Sequence, residues 1–436
     1  MIVDGRNKTS VGVPLAFIGA GLFSLLAGMG WVMARPEVLA TYHYNQNVIA
    51  VTHLFTLGWI SSVVMGAMYQ LVPVALETKL YSERLARWHF VLHLTGFVGM
   101  VWMFSNWNLK LVGCFGLILA AGVALFAWNI GRTLSRVPRW NVVAGGITSA
   151  LTWLVFTILA GLLLAAAKNW PISPFDPIRQ MHAHAHLGAL GFFVILIVGV
   201  SYKLIPMFAL SGIQNLRRAR ASLVLLNIGM PGLFVTTLLG NPIKLAFAFI
   251  VIAGLVVYGI ELMAILRSRK RRALDWGIRY FLTALALLLP VSLLGILLSW
   301  PALPLNAFTG QLENVYGLLA LLGVVTLAIL GMLYKIVPFL VWLTRYSPEV
   351  GKRKVPALAD LYSVPLQVAG YLLFLAGLAV TSAATIFSHA ECVQKGAALW
   401  LAGIAVFAIN MAKIILHLLP AKAQDLHIGP ALKGAI

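Results

Sequence analysis

Charged residues are scarce in this chain of 436 residues: Asp and Glu together number 12, and all four charged types make up only 10%. With hydrophobic residues at 61%, that scarcity excludes an ordinary water-soluble globule and points to a polytopic membrane protein. Cysteine is almost missing as well. Cys114 and Cys392 form no CxxC or CxxCH, which excludes a thiol redox pair and a covalent haem attachment site. No large polar domain, low-complexity tail or linker separates the apolar stretches. The one glycine-rich candidate, GAGLFS near Gly19, neither follows a strand nor opens a soluble helix, so it is not a nucleotide loop.

What is present is a series of twelve apolar runs of spanning length. They fall at 11–34, 46–74, 88–107, 109–130, 142–167, 180–208, 219–239, 244–266, 277–299, 310–340, 361–387 and 396–418. The first is too long for a signal-peptide core and has no convincing cleavage site, so it is expected to stay in the mature protein. A net charge of +20 would suggest nucleic acid in a soluble protein, but its distribution says otherwise. Of the 32 Lys and Arg, counting those within three residues of a span end with the adjoining loop, 23 belong to the termini and even-numbered loops, 6 to odd-numbered loops and 3 lie deeper in spans. The loop Leu266–Trp276 alone holds Arg267, Arg269, Lys270, Arg271 and Arg272. This asymmetry predicts cytoplasmic N- and C-termini and makes nucleic-acid binding unnecessary.

Internal repetition organises the chain. The sixth span contains His186, Gly191, Gly199, Tyr202 and Pro206, and one constant shift toward the N-terminus lands on His53, Gly58, Gly66, Tyr69 and Pro73. A third copy, displaced almost equally toward the C-terminus, keeps Gly323, Gly331, Tyr334 and Pro338 but has Leu318 at the histidine position. Recurrence at fixed spacing predicts an all-α membrane protein of twelve transmembrane helices in three pseudo-repeated four-helix units, 11–130, 142–266 and 277–418, within one membrane domain over 1–436. Helix packing accounts for the glycines, and the prolines are expected to end their spans with the tyrosines at the interface.

Packing does not account for the histidines. MHAHAHLG places His182, His184 and His186 at the start of one span, and residues two apart on a helix point about 200° away from each other. His184 and His186 should therefore face opposite sides and could serve two cofactors. His53 lies at similar depth on the second span, and two imidazoles on different helices are what axial ligation of one haem requires. His53 and His186, which share a place in the repeat, form the expected pair. The alternative is hydrogen bonding to Ser, Tyr or backbone groups between helices. His89 and His93, one turn apart in the third span, are a second candidate metal pair, with His89 expected at the inner surface. His43, His389, His417 and His427 are expected to be solvated, as is Glu261. Lys203 and Lys335 are expected to snorkel to the cytoplasmic surface.

The run HAHLGALGFFVILIVGVSYKLIPMF resembles the haem-ligating helix of the main subunit of C-type haem–copper oxidases: an H-x-H, then GALG, a glycine eight residues on, and Tyr and Pro in the same spacing. Twelve spans in three pseudo-repeats match that superfamily, and the H-x-H-then-glycine pattern is also similar to NnrS-type haem- and copper-containing membrane proteins of nitric oxide metabolism. The resemblance implies that His184 corresponds to a high-spin haem ligand and that His186 and His53 are the low-spin pair. The H-x-H lies here on the sixth span rather than the tenth. The oxidases' copper site needs a His-His pair on the seventh span, yet ASLVLLNIGMPGLFVTTLLG contains no histidine. No histidine is followed at four residues by tyrosine. The resemblance thus implies haem b, one low-spin and a second high-spin group, with no residue set to support copper. The expected function is electron transfer, or binding and reduction of a diatomic gas (NO or O2), making an oxidoreductase the enzymatic expectation. Expected partners are the lipid bilayer, a quinol or cytochrome electron donor, the gas, and a second copy or small subunit, in the bacterial inner membrane. Two alternatives stand beside this reading: a non-catalytic haem or copper accessory protein, and a histidine-dependent transporter.

Overall fold

The computed structural model describes residues 11–271 and 273–419, with no strand among the described residues. Arg272 and His427 lie outside them. Among the described residues, twelve helices are long and apolar enough to cross a membrane. They are α1 (Gly12–Ala34), α2 (Gln46–Ala75), α3 (Glu83–Ser105), α4 (Leu109–Leu134), α5 (Val142–Ala167), α6 (Pro177–Ala209), α7 (Leu216–Leu239), α8 (Lys244–Arg267), α9 (Trp276–Ser299), α10 (Ala307–Arg345), α11 (Val364–Ile386) and α12 (Ala390–Leu416). Polar caps set many of the starts. Asn45, Asn141, Asp176, Asn215, Asp275 and Asn306 each accept from a backbone N–H of the first turn. Ser82 does the same for Leu85 at 3.2 Å, which starts α3 at Glu83, ahead of its apolar run.

Burial separates the helices into two classes. The apolar windows of α2, α6 and α10 are 61%, 72% and 67% buried, against 11–44% for the other nine. The three helices carrying the repeated sequence therefore form the inner ring, and the rest surround them. Outer pairs α3/α4, α7/α8 and α11/α12 pack as hairpins, while α4 meets α5, α8 meets α9 and α12 closes back on α1. Lipid-facing Trp88, Trp102 and Trp300 are more than half exposed, as an aromatic belt requires.

The inner helices share an irregularity at one place. Each turns π-helical directly after the first repeat position, at Leu54–Ser61, Leu187–Val194 and Leu319–Val325. A π-turn leaves main-chain groups to be satisfied from outside the helix. The Leu57 carbonyl accepts from Ser62 Oγ at 3.1 Å and from His93 Nε2 at 3.2 Å, and the Leu321 carbonyl from Thr326 Oγ1 at 3.0 Å. Trp59 Nε1 then donates to Thr326 Oγ1 at 3.0 Å, joining α2 to α10.

Close backbone contact explains the glycines. On α10, a Cβ at Gly331 would lie 2.5 Å from the Gly277 carbonyl oxygen and 2.8 Å from Tyr280 Cβ. Neither neighbour is a flexible side-chain end. Gly331→Ala should therefore destabilise the protein by about 1–3 kcal/mol. Gly259→Ala, whose Cβ meets nothing within 4 Å, should leave the melting temperature of the detergent-purified protein unchanged or slightly raised.

Several expectations are corrected. Pro73, Pro206 and Pro338 lie inside their helices, which continue to Ala75, Ala209 and Arg345. The repeat tyrosines are not interfacial but buried. Tyr69 bonds His89 Nδ1 at 2.9 Å, Tyr202 bonds Ser222 Oγ at 2.8 Å, and Tyr334 accepts from Asn410 Nδ2 at 3.2 Å. Lys335 does not snorkel; its ammonium pairs with Asp275, the N-cap of α9. Glu261 is fully buried rather than solvated, and its carboxylate accepts from the Gln214 and Asn215 backbone N–H groups and from Arg218. His417 bonds the Tyr346 hydroxyl at 2.7 Å.

Candidate functional site

The imidazoles at the repeat's first position are held alike. His53 Nδ1 donates to the Ile49 carbonyl and His186 Nδ1 to the His182 carbonyl, both at 2.7 Å and both one turn back on the same helix. A carbonyl can only accept, so each Nδ1 carries the proton and each Nε2 keeps its lone pair for a ligand. Phe104 of α3 stacks on His53 with ring centroids 4.8 Å apart.

His184 and His186 face opposite sides of α6, as their spacing predicts. His184 turns toward α5, where a Cβ on Gly161 would sit 3.1 Å from its Cε1, and it lies within electrostatic range of His53. Its Nδ1 is buried without a hydrogen-bond partner. His186 turns toward α10, where the Tyr316 hydroxyl stands 3.4 Å from its Nε2. His184, two residues before the repeat position, is thus the α6 imidazole within electrostatic range of His53, while His186 lies beside Tyr316. At the α6–α10 contact the helices meet with an offset of two residues, so His186 faces Tyr316 and not the equivalent Leu318. Tyr316 itself stands to His184 as Leu318 stands to His186, and so occupies its place in the third copy.

His53, His184 and His186 line one cavity of about 520 Å³, within the roughly 300–1,000 Å³ of small-molecule and cofactor sites. Leu154, Ile158 and Met100 wall its α2–α6 side, and Val251, Leu255 and Leu288 its α6–α10 side. Two ammonium groups, Lys168 and Lys244, also line it. Lys168 Nζ donates to the Tyr44 hydroxyl at 2.6 Å. Imidazoles whose Nδ1 protons are held by the backbone at His53 and His186, apolar walls and cationic groups suit a flat macrocycle that bears carboxylates and takes axial nitrogen ligands.

A second constellation was not visible in the sequence. His43, from the segment between α1 and α2, meets His182 of α6 and Glu313 of α10, with one donor atom from each within 4.8 Å of the others. His43 is therefore not free in solvent, and burial lowers its pKa. Nothing periodic relates His43 to Glu313, so no spacing argument could find them.

His89 and His93 are both buried, and neither sits at a surface. His89 Nδ1 bonds Tyr69, while His93 Nε2 bonds Ser62 Oγ at 3.0 Å and the Leu57 carbonyl. They join no group of three candidate metal ligands among the described residues. Both rings serve inter-helix hydrogen bonding, with His93 completing the π-turn of α2.

The family profile described as Cytochrome C and Quinol oxidase polypeptide I matches residues 2–117, which include His53. A cytochrome c oxidase subunit 1 homolog of Azorhizobium caulinodans is 25% identical over 166 residues, 30% of this chain and 29% of the relative. Its counterpart from the bacteroid of Bradyrhizobium diazoefficiens is 38% identical over 158 residues, 31% of this chain and 28% of the relative. These alignments span less than a third of either relative's length. A solved haem–copper terminal oxidase dimer is similar in fold, with a TM-score of 0.66 at 12% identity, over 94% of this chain and 85% of the other. Over residues 2–117 the chain is similar in sequence to the Cytochrome C and Quinol oxidase polypeptide I family, and over nearly its whole length this integral membrane protein shares the fold of a solved haem–copper terminal oxidase.

Proposed function

We propose that the cavity binds haem b and that the protein works in electron transfer or in binding and reducing a diatomic gas, NO or O2. The observation that carries this reading is that His53 and His184 line the same cavity within electrostatic range of each other, the first with its Nδ1 proton tied to Ile49 and the second with a buried Nδ1 that has no hydrogen-bond partner. These two would be the axial ligands, and Lys168 beside Tyr44 would neutralise the haem carboxylates. Haem supplies a one-electron couple whose potential depends on the axial pair and the polarity around it. The chain's own contribution is to fix the imidazole tautomers, to exclude water with Phe104, Leu154 and Ile158, and to hold compensating charge at Lys168.

His186 would serve a second, high-spin group on the α10 side. Tyr316 closes the direction of its lone pair at 3.4 Å, so occupancy there requires the tyrosine side chain to swing away. The α2–α6 site is accordingly the one expected to fill first. The donor would be a membrane quinol or a cytochrome, and the setting a bacterial inner membrane.

An accessory role that holds haem without turnover is favoured by one observation: α7 carries no histidine, so the three-imidazole copper site of the oxidases has no counterpart on it. An optical spectrum of the purified protein, oxidised and reduced, with haem quantification and added carbon monoxide, tests both. A sharp reduced alpha band unmoved by carbon monoxide is expected for the His53/His184 pair. An additional gas-sensitive Soret component would mark a second group at His186 and favour turnover. A protein that stays colourless after haem supplementation would overturn the haem reading and favour transport through the histidine-lined cavity.

A further inference from the structure

We propose that His43, His182 and Glu313 bind one divalent transition-metal ion of the zinc or copper(II) class where the cavity opens at the His43 end of the bundle. The site does not depend on haem. His43 Nε2 and His182 Nε2 are 3.2 Å apart, close to the roughly 3.3 Å separating two ligands that lie 2.0–2.1 Å from one tetrahedral zinc. Glu313 Oε2 stands 3.7 Å from His43 Nδ1, a buried atom without a hydrogen-bond partner. His43 can offer an ion only one of its two ring nitrogens, and with one donor from each residue the three still fall within 4.8 Å of one another, so side-chain rotations bring the set together. Two imidazoles and a carboxylate with a fourth position open to water are a ligand set suited to zinc, and imidazole also suits copper.

The surroundings hold these side chains in place. Asn314 Nδ2 donates to the Thr41 carbonyl at 2.7 Å, tying α10 to the segment that carries His43. Asn45 donates to the Tyr42 carbonyl at 2.7 Å, and the Tyr42 ring lies 4.4 Å from the His43 ring. The carbonyl of His182 accepts the Nδ1 proton of His186, so the metal ligand and the cavity histidine share one helical turn. All three candidate ligands are partly exposed and can be reached from solvent.

The three come from three different parts of the chain: the segment before α2, the start of α6 and the first half of α10. An ion held among them would tie the inner helices together above the cavity. It would fix the position of His182, and through its carbonyl the tautomer of His186. The site is therefore both a clasp on the fold and a control on the α10 side of the cavity.

The test is metal analysis of the full-length protein in detergent. The protein is stripped with EDTA, reloaded with zinc or copper(II), desalted and assayed for zinc and copper separately from iron. About one ion per chain is expected, and affinity at least tenfold lower in His43→Ala and in Glu313→Gln, with haem content unchanged in both. Copper-loaded wild type should show nitrogen hyperfine structure from two imidazoles in its paramagnetic resonance spectrum, reduced to one in His43→Ala. Metal uptake equal in wild type and in the Glu313→Gln variant, with matching elution and helix content, would overturn the proposal. So would stoichiometric binding whose spectrum lacks imidazole nitrogen. A protein without haem that still takes up one ion through these residues would separate this site from the haem reading.

Discussion

Replacing His53 by alanine should strip the protein of the low-spin haem proposed for the cavity. Loss of a partner behind a metal ligand typically costs about 10–100-fold, so loss of an axial ligand itself should lower haem retention by at least about tenfold. His184→Ala should do the same, because the two would grip opposite faces of one macrocycle. His186→Ala, on the other side of α6 beside Tyr316, should leave the sharp alpha band in place. Haem quantification and reduced spectra of the three variants, purified in parallel, decide between the two pairings. If His186→Ala abolishes the band and His184→Ala spares it, the axial pair is set by repeat position and not by the His53/His184 pairing proposed above. Gly161→Ala gives an independent check. A Cβ there meets His184 Cε1 at 3.1 Å, so the ring must tilt, and the alpha band should shift or broaden without loss of the fold.

The architecture was largely legible because it rests on periodic signals. Apolar length gave all twelve spans, and their limits differ from the helices mainly where polar caps such as Ser82 add a turn. The spacing from His53 to His186 to Leu318 marks the points after which all three inner helices become π-helical. Tyr69 and Tyr202 repeat even their partners, since His89 and Ser222 are themselves separated by the repeat interval. What the sequence hid was the way neighbouring copies meet. Repetition says which residues are equivalent, while contact across a ring joins non-equivalent ones. Here His186 meets the residue two before Leu318, and His53 lies within electrostatic range of the residue two before His186. Carried to the third contact, the same offset would bring Leu318 toward Val51, and neither can ligate. His43 and Glu313 were hidden for another reason: a loop histidine and a lone acidic residue have no period, and only the folded ring brings them to His182.

Glu261→Ala should be among the most destabilising single substitutions outside the histidine sites. A carboxylate with no exposed surface in an apolar helix reads from sequence as an ion near water, and the structure gives it a different task. Its Oε1 accepts from the backbone N–H groups of Gln214 at 2.6 Å and Asn215 at 2.8 Å, and its Oε2 accepts from Arg218 Nε at 2.9 Å. It thereby ties α8 to the start of α7. The other outer hairpins do this with amides. Asn129 accepts from Ser82 N at 3.0 Å and donates to Ser82 O at 2.8 Å, and Asn410 does both with Ser363 at 2.8 Å. Removing the Glu261 side chain leaves two backbone donors without an acceptor, each worth about 1–3 kcal/mol. The Arg218 pair adds less, because the arginine side chain is 38% exposed and can turn to water. The expected loss is therefore about 2–5 kcal/mol, read as a lowered melting temperature and faster proteolysis of the α6–α7 connection. Glu261→Gln keeps an acceptor oxygen of the kind Asn129 and Asn410 supply, and should cost well under half as much. If the glutamine variant melts as low as the alanine variant, it is the charge on Glu261 and its pairing with Arg218, rather than the capping of α7, that holds this hairpin.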